Sequence, residues 1–226
     1  MAGPMNTAIS RHFVRFGRAD VSVLIAVSIA AGFVFPLLEG RFGLAANLVA
    51  KGLPVAALAL AAALLPGQRW LAAIMAAGAA GDVLLDVPGL FYVGAGAFAV
   101  GHVIAILFYM GRRRPGLVIP DRVAALALIG YGLGMPLLVM PVGAPVGALM
   151  LYSVLLCGMA TAALLSRFAP RWTGLGALLF VISDTLLIMR MGGSLVGGAG
   201  VHGLLVWYSY YLGQLLIFAG VATAER

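Results

Sequence analysis

Gly81-Asp82-Val83-Leu84-Leu85-Asp86 closes an apolar run that starts at Arg69, and the reading of that run decides the fold. A membrane span takes about 20 mostly apolar residues, and residues 69–87 are long enough once the two acids are accepted. An ionisable side chain inside a bilayer is costly, so it marks function by default. Asp82 and Asp86 are four apart and share one helix face. Counting the run as a span reverses the direction of every helix after it, and the loop charges test that choice.

Of the 226 residues, 63% are hydrophobic and 9% charged. Soluble domains sit near 45–50% and about 25%. With a mean hydropathy of +1.11, the class is a polytopic membrane protein. No polar stretch is long enough for a soluble domain, so residues 1–226 are expected to form one membrane domain whose partner is the bilayer. The net charge of +7 does not point to nucleic acid, because the arginines sit at the ends of apolar segments. The single cysteine, Cys157, lies in an apolar run and reads as a small buried hydrophobe.

Breaking the chain at Pro, Gly and Arg clusters gives eight spans: 20–38, 45–65, 69–87, 91–111, 120–140, 145–166, 172–190 and 201–221. The expected fold is therefore an all-α bundle of eight transmembrane helices with both termini on one side. That side receives Arg11, Arg15, Arg18, Arg69, Arg112, Arg113, Arg114, Arg122, Arg167, Arg171 and Arg226, against Arg41 and Arg190 on the other. Eleven against two makes the arginine-rich side cytoplasmic, in a multi-pass bacterial inner membrane protein. Arg11, Arg15 and Arg18 ahead of an apolar run imitate a secretory signal. The run is long enough to span and more spans follow, so it reads as an uncleaved first helix.

Small residues abound, with 31 glycines, as close helix contacts in lipid require. The Gly130/Gly134 and Gly143/Gly147 spacings are the expected contact points. Gly81-Asp82-Val83-Leu84-Leu85 resembles Ser183-Asp184-Thr185-Leu186-Leu187 four spans later, as a four-plus-four duplication would leave behind. Gly192 to Gly200 reads as a flexible outer loop, and His202 as a solvated residue at its edge.

At 1.5 Å per residue, the polar side chains converge on the outer half of the bilayer. Asp82 and Asp184 lie just past the middle, His102 and Gln214 near it, and Lys51, Tyr152, Tyr208 and Tyr211 further out. Asp86 and Arg190 lie at the outer end. Two carboxyls sharing a dry pocket cannot both ionise readily, and one acid with one base is what general acid–base hydrolysis uses. Asp82 and Asp184 are therefore the candidate catalytic pair, though either carboxylate could instead hold helices together, Asp82 by pairing with Lys51. Asp86 orients the pair or lines the entrance. Lys51, His102, Tyr208, Tyr211, Gln214, Asp86, Tyr152 and Arg190 are the candidate substrate-binding residues. Lys51 binds a phosphate or snorkels, and Arg190 meets a headgroup or anchors a helix end. Tyr208, Tyr210 and Tyr211 form either an interfacial belt or, for Tyr211 with Gln214 three residues on, an inward stripe. No phosphate loop, serine elbow or zinc motif is present, and no cofactor or metal is expected.

Five motifs in order resemble the YhhN family: Lys51-Gly52-Leu53-Pro54, Gly81-Asp82-Val83-Leu84-Leu85, Phe98-Ala99-Val100-Gly101-His102, Leu179-Phe180-Val181-Ile182-Ser183-Asp184 and Tyr210-Tyr211-Leu212-Gly213-Gln214. The resemblance runs from the second span to the eighth. It implies hydrolysis of the vinyl ether of a lysoplasmalogen, a lysophospholipid substrate, to a fatty aldehyde and glycerophosphoethanolamine or glycerophosphocholine. A proton-coupled transporter using Asp82, His102 and Asp184 as a relay is the competing reading. A metal-dependent hydrolase is a third, thinly supported by one deep histidine.

Overall fold

The computed structural model describes residues 18–224 and, among them, is helical throughout apart from its connections. Eight α-helices follow in order: α1 Arg18–Leu38, α2 Leu44–Leu64, α3 Arg69–Asp86, α4 Phe91–Met110, α5 Ile119–Val139, α6 Gly147–Leu164, α7 Leu175–Met191 and α8 Gly198–Ala224. A π-helical turn, Pro170–Gly174, leads into α7. Each expected span has its helix, with ends displaced by a few residues. Seven of the eight are long and apolar enough to cross a membrane by length and composition. The exception is α3, whose 18 residues include Arg69, Asp82 and Asp86. Arg11, Arg15 and Arg226 lie outside the described residues.

The helices pack mainly against their sequence neighbours, and α8 closes the bundle by touching α7, α1, α2 and α3. Helix α4 also packs on α6, while α5 lies at the edge against α6 and α7. Large apolar side chains such as Val23, Leu107, Leu126, Leu138 and Leu151 point outward. In water that would be one continuous sticky surface; in lipid it is the expected exterior. At one end the α4–α5 and α6–α7 connections are tied together. Arg114 N–H donates to the Leu165 carbonyl at 3.0 Å, and Arg167 N–H to the Arg112 carbonyl at 2.8 Å. The Arg112 guanidinium lies 4.1 Å from the centre of the Phe108 ring.

Close packing does not run through the glycines that the spacing rule singled out. A Cβ on Gly130, Gly134 or Gly147 would meet nothing within 4 Å, and Gly143 sits in a turn at φ +85°. Helix α5 is peripheral and touches α6 through Gly132, where a Cβ would stand 2.8 Å from the Ser153 carbonyl, while Gly130 and Gly134 turn away from that contact. A reciprocal tight crossing joins α7 and α8, where a Cβ on Gly176 would come within 2.7 Å of the Gly213 carbonyl, and one on Gly213 within 2.7 Å of the Gly176 carbonyl. Backbone cannot rotate aside as a side chain can. Gly176→Ala should therefore destabilise the bundle by about 1–3 kcal/mol, as overpacking does. Gly134→Ala should be neutral. Thermal unfolding in detergent checks both, and equal midpoints for the two variants would remove the α7–α8 crossing as a constraint.

Candidate functional site

The site is built from two carboxyls on α3 and α7, each met by a tyrosine from another helix. Asp82 is 2% exposed, and its Oδ2 accepts a hydrogen bond from the Tyr210 hydroxyl of α8 at 2.7 Å. Gln214, one turn further along α8, donates its Nε2 to that hydroxyl at 3.3 Å. Asp184 is 6% exposed, and its Oδ2 accepts from the Tyr152 hydroxyl of α6 at 2.6 Å. His102 on α4 places its Nε2 3.5 Å from the same hydroxyl. A buried carboxyl without such donors would be prohibitively costly. Here the tyrosines supply a polar partner without adding charge.

The two arms meet at an aromatic cluster. The Phe180 ring, one turn before Asp184, lies 5.1 Å from Tyr210, 5.1 Å from His102 and 5.7 Å from Phe98. Phe98 in turn stands 5.7 Å from Tyr210. These edge-to-face contacts fix the direction of the tyrosine and histidine that address the acids. Asp82 lies within electrostatic reach of Lys51, Asp86 and Asp184. Gly78, one turn before Asp82, makes room for α8: a Cβ there would stand 2.9 Å from Gln214 Nε2 and 3.6 Å from the Tyr210 hydroxyl.

Near the end of the bundle opposite the tied connections, Lys51 on α2 pairs with Asp86, the last residue of α3. Their Nζ–Oδ1 distance is 2.6 Å, with side chains 17% and 32% exposed. Lys51 is thus bonded to Asp86 and not to Asp82, which removes the simplest structural account of Asp82. The pair stands one helical turn beyond Asp82 on the same face and marks the more accessible edge of the site.

Several expected residues stand elsewhere. The Tyr211 hydroxyl is 3.1 Å from Ser28 Oγ, and its ring stacks parallel to Trp207 at 6.3 Å, so it fastens α8 to α1. The Tyr208 hydroxyl donates to the Phe33 carbonyl at 3.1 Å, also on α1. Arg190 is exposed, with its guanidinium near Gly203. His202 is not solvated but fully buried. Its Nδ1 accepts from Val196 N–H at 3.0 Å and its Nε2 bonds to the Leu186 carbonyl at 2.8 Å, so it straps the Gly192–Gly200 connection to α7. The last three residues of that connection already belong to α8. Tyr210 is the residue that sequence reasoning passed over. Its four-residue spacing to Gln214 was a signal for a shared face, as good as the three-residue spacing of Tyr211. Among the described residues, no group of three or more His, Cys, Asp or Glu side chains is placed to hold a metal ion.

Fold and site together describe a multi-pass helical membrane protein with two buried, tyrosine-bonded carboxyls. Residues 46–221 match the model of the YhhN family, and the chain belongs to that family. Two similar curated proteins are named lysoplasmalogenase, from Mycobacterium tuberculosis and Mycobacterium bovis. Each is 31% identical over 167 residues, which is 68% of this chain and 60% of the relative, so the chain spans about three fifths of their length. No solved structure matches.

The Lys51–Asp86 pair is part-buried and short, so its two members should act as a unit. A double-mutant cycle with Lys51→Met and Asp86→Asn should give a coupling energy of about 1 kcal/mol in unfolding. Strictly additive effects would mean that the two side chains do not hold each other.

Proposed function

We propose that this chain is a lysoplasmalogenase-like hydrolase that cleaves the vinyl ether of a lysophospholipid within the membrane. The observation that carries the reading is the pair of buried carboxyls, Asp82 and Asp184, each held by a tyrosine and joined through one aromatic cluster. The name of the mycobacterial relatives favours this chemistry over proton-coupled transport.

The reaction asks for what two carboxyls supply. One neutral carboxyl gives a proton to the β-carbon of the vinyl ether, leaving an oxocarbenium ion. The other, as a carboxylate, stabilises that cation and takes a proton from the attacking water. The hemiacetal so formed breaks its carbon–oxygen bond to the glycerol. A proton returns to the glycerol oxygen, and a fatty aldehyde and a glycerophosphodiester leave. Tyr210 and Tyr152 orient the carboxyls, Gln214 and His102 orient the tyrosines, and the apolar bundle takes the alkenyl chain.

Lys51 and Asp86, at the accessible edge, suit the headgroup: Lys51 for the phosphate, and Asp86 for the ammonium of an ethanolamine or choline. Tyr208, Tyr211 and Arg190 are not carried into this reading, since their contacts lie away from the acids. In its membrane the chain is proposed to cross eight times, α3 included, as a single domain with both termini and the arginines in the cytoplasm of a bacterium.

The test is release of fatty aldehyde from alkenyl-lysophospholipid by protein purified in detergent. Asp82→Asn and Asp184→Asn should each lower kcat by about 10²–10⁴-fold, the usual worth of a general acid or base. Both variants should unfold at the wild-type temperature. Wild-type rates in both would refute the site, and no aldehyde from any vinyl-ether lysolipid would refute the activity.

A further inference from the structure

Beneath the two acids lies a cavity that the carboxyls themselves do not line. Its volume is about 20 Å³, and its wall includes Gly78, His102, Ala105, Tyr109, Phe180 and Gln214. A water needs roughly 10–15 Å³, so there is room for one and not for a run of methylenes. Gly78 and Phe180 stand four residues before Asp82 and Asp184, about 6 Å along each helix axis. Both helices run outward from the arginine-bearing end, which places the cavity on that side of the acids. Side chains on a helix lean toward its N-terminus, so both carboxyls lean toward the cavity.

The second observation is Tyr109. Its side chain is 0% exposed, it lines the cavity, and its hydroxyl has no hydrogen-bond partner among the described residues. Buried hydroxyls are almost always satisfied, by protein or by water. Two more polar side chains stand in the otherwise apolar wall, Gln214 and His102. The amide nitrogen of Gln214 is committed to Tyr210, which leaves its carbonyl oxygen as an acceptor. The His102 ring lies beside Tyr152. A dry, wholly apolar void would offer none of these.

We propose that this cavity is the water site of the hydrolase: it holds the water consumed in each turnover, anchored at the Tyr109 hydroxyl and released toward the acids past Gln214 and His102. The inference rests on the hydrolase reading above. A lysolipid seated with its head by Lys51 and Asp86 covers the approach from that end. The water that adds its oxygen to the oxocarbenium carbon, and gives its proton to the carboxylate, then comes from the opposite side. Tyr109 is a positioning residue, since it acts through the water. The competing occupant is the tip of the alkenyl chain, which would need far more than the available volume and would leave the Tyr109 hydroxyl unpaired.

Two variants separate these occupants. Kinetics of aldehyde release are followed with a long-chain and a short-chain alkenyl-lysophospholipid, alongside thermal unfolding. Tyr109→Phe removes the anchor, and Ala105→Leu fills the cavity. Each should lower kcat roughly tenfold, the worth of about one hydrogen bond, for both chain lengths. KM should not change, and Tyr109→Phe should leave the unfolding temperature unchanged. Wild-type kcat in Tyr109→Phe would overturn the proposal, and a raised unfolding temperature beside it would show a dry, unpaired hydroxyl. A loss in Ala105→Leu confined to the long chain would overturn it in favour of a chain slot. A fall in kcat matched by a large fall in unfolding temperature would make Tyr109 merely structural. If the wild type releases no aldehyde from either lipid, the hydrolase reading itself fails, and the water site falls with it.

Discussion

Keeping two carboxyls inside an apolar bundle is the constraint on which the rest of this structure depends. Among the described residues, neither Asp82 nor Asp184 has a cation at hydrogen-bonding distance. Each is satisfied by a tyrosine hydroxyl, at 2.7 and 2.6 Å. A tyrosine brings its hydroxyl several ångströms from its own backbone, so the helix that carries it can sit against a neighbour at ordinary packing distance. Its ring meanwhile adds apolar contact. The acids thus tie α3 to α8 and α7 to α6. The ammonium of Lys51 is bonded to Asp86 at the rim and not to either buried acid.

That arrangement needs the helices to approach at chosen heights, and glycine decides where. At Gly78 the missing Cβ admits the Gln214 amide beside Asp82, while Gly176 and Gly213 let α7 and α8 touch backbone to backbone. Lipid offers no hydrophobic drive for helices to associate, so contact area of this kind carries the association. Phe98 and Phe180 then fill the space between the arms and set the rotamers of Tyr210 and His102. The consequence is rigidity: the two acids and their tyrosine partners are held by packing on several helices, not by loops.

The two ends of the bundle differ in kind. One end carries the clustered arginines and a backbone tie between two connections. The other has the Lys51–Asp86 pair and a turn strapped by the buried His202. The two buried acids stand between them, with the ion pair on one side and, on the other, a small cavity whose mostly apolar wall carries His102, Tyr109 and Gln214.

Much of this was legible in the chain. Helix positions follow from local hydropathy, and the acid-bearing run expected at 69–87 is the helix Arg69–Asp86. The rise per residue grouped Asp82, Asp184, His102, Tyr152 and Gln214 in one half of the bundle before any contact was known, along with Lys51, Tyr208 and Tyr211, whose bonds go elsewhere. What hydropathy does not contain is rotation about each helix axis. One residue on a helix is about 100° of turn. Tyr210 therefore reaches Asp82 while adjacent Tyr211 faces Ser28 on another helix. Rotation and partner choice likewise put Lys51 on Asp86, buried His202, and left Gly134 facing open space while Gly213 carried a crossing. The sequence by itself determined which helices exist, where along each helix its polar groups stand and which acids stand out, because those are properties of single segments. Only the tertiary structure decided which side chains meet, because that depends on how each helix is turned by the neighbours it packs against.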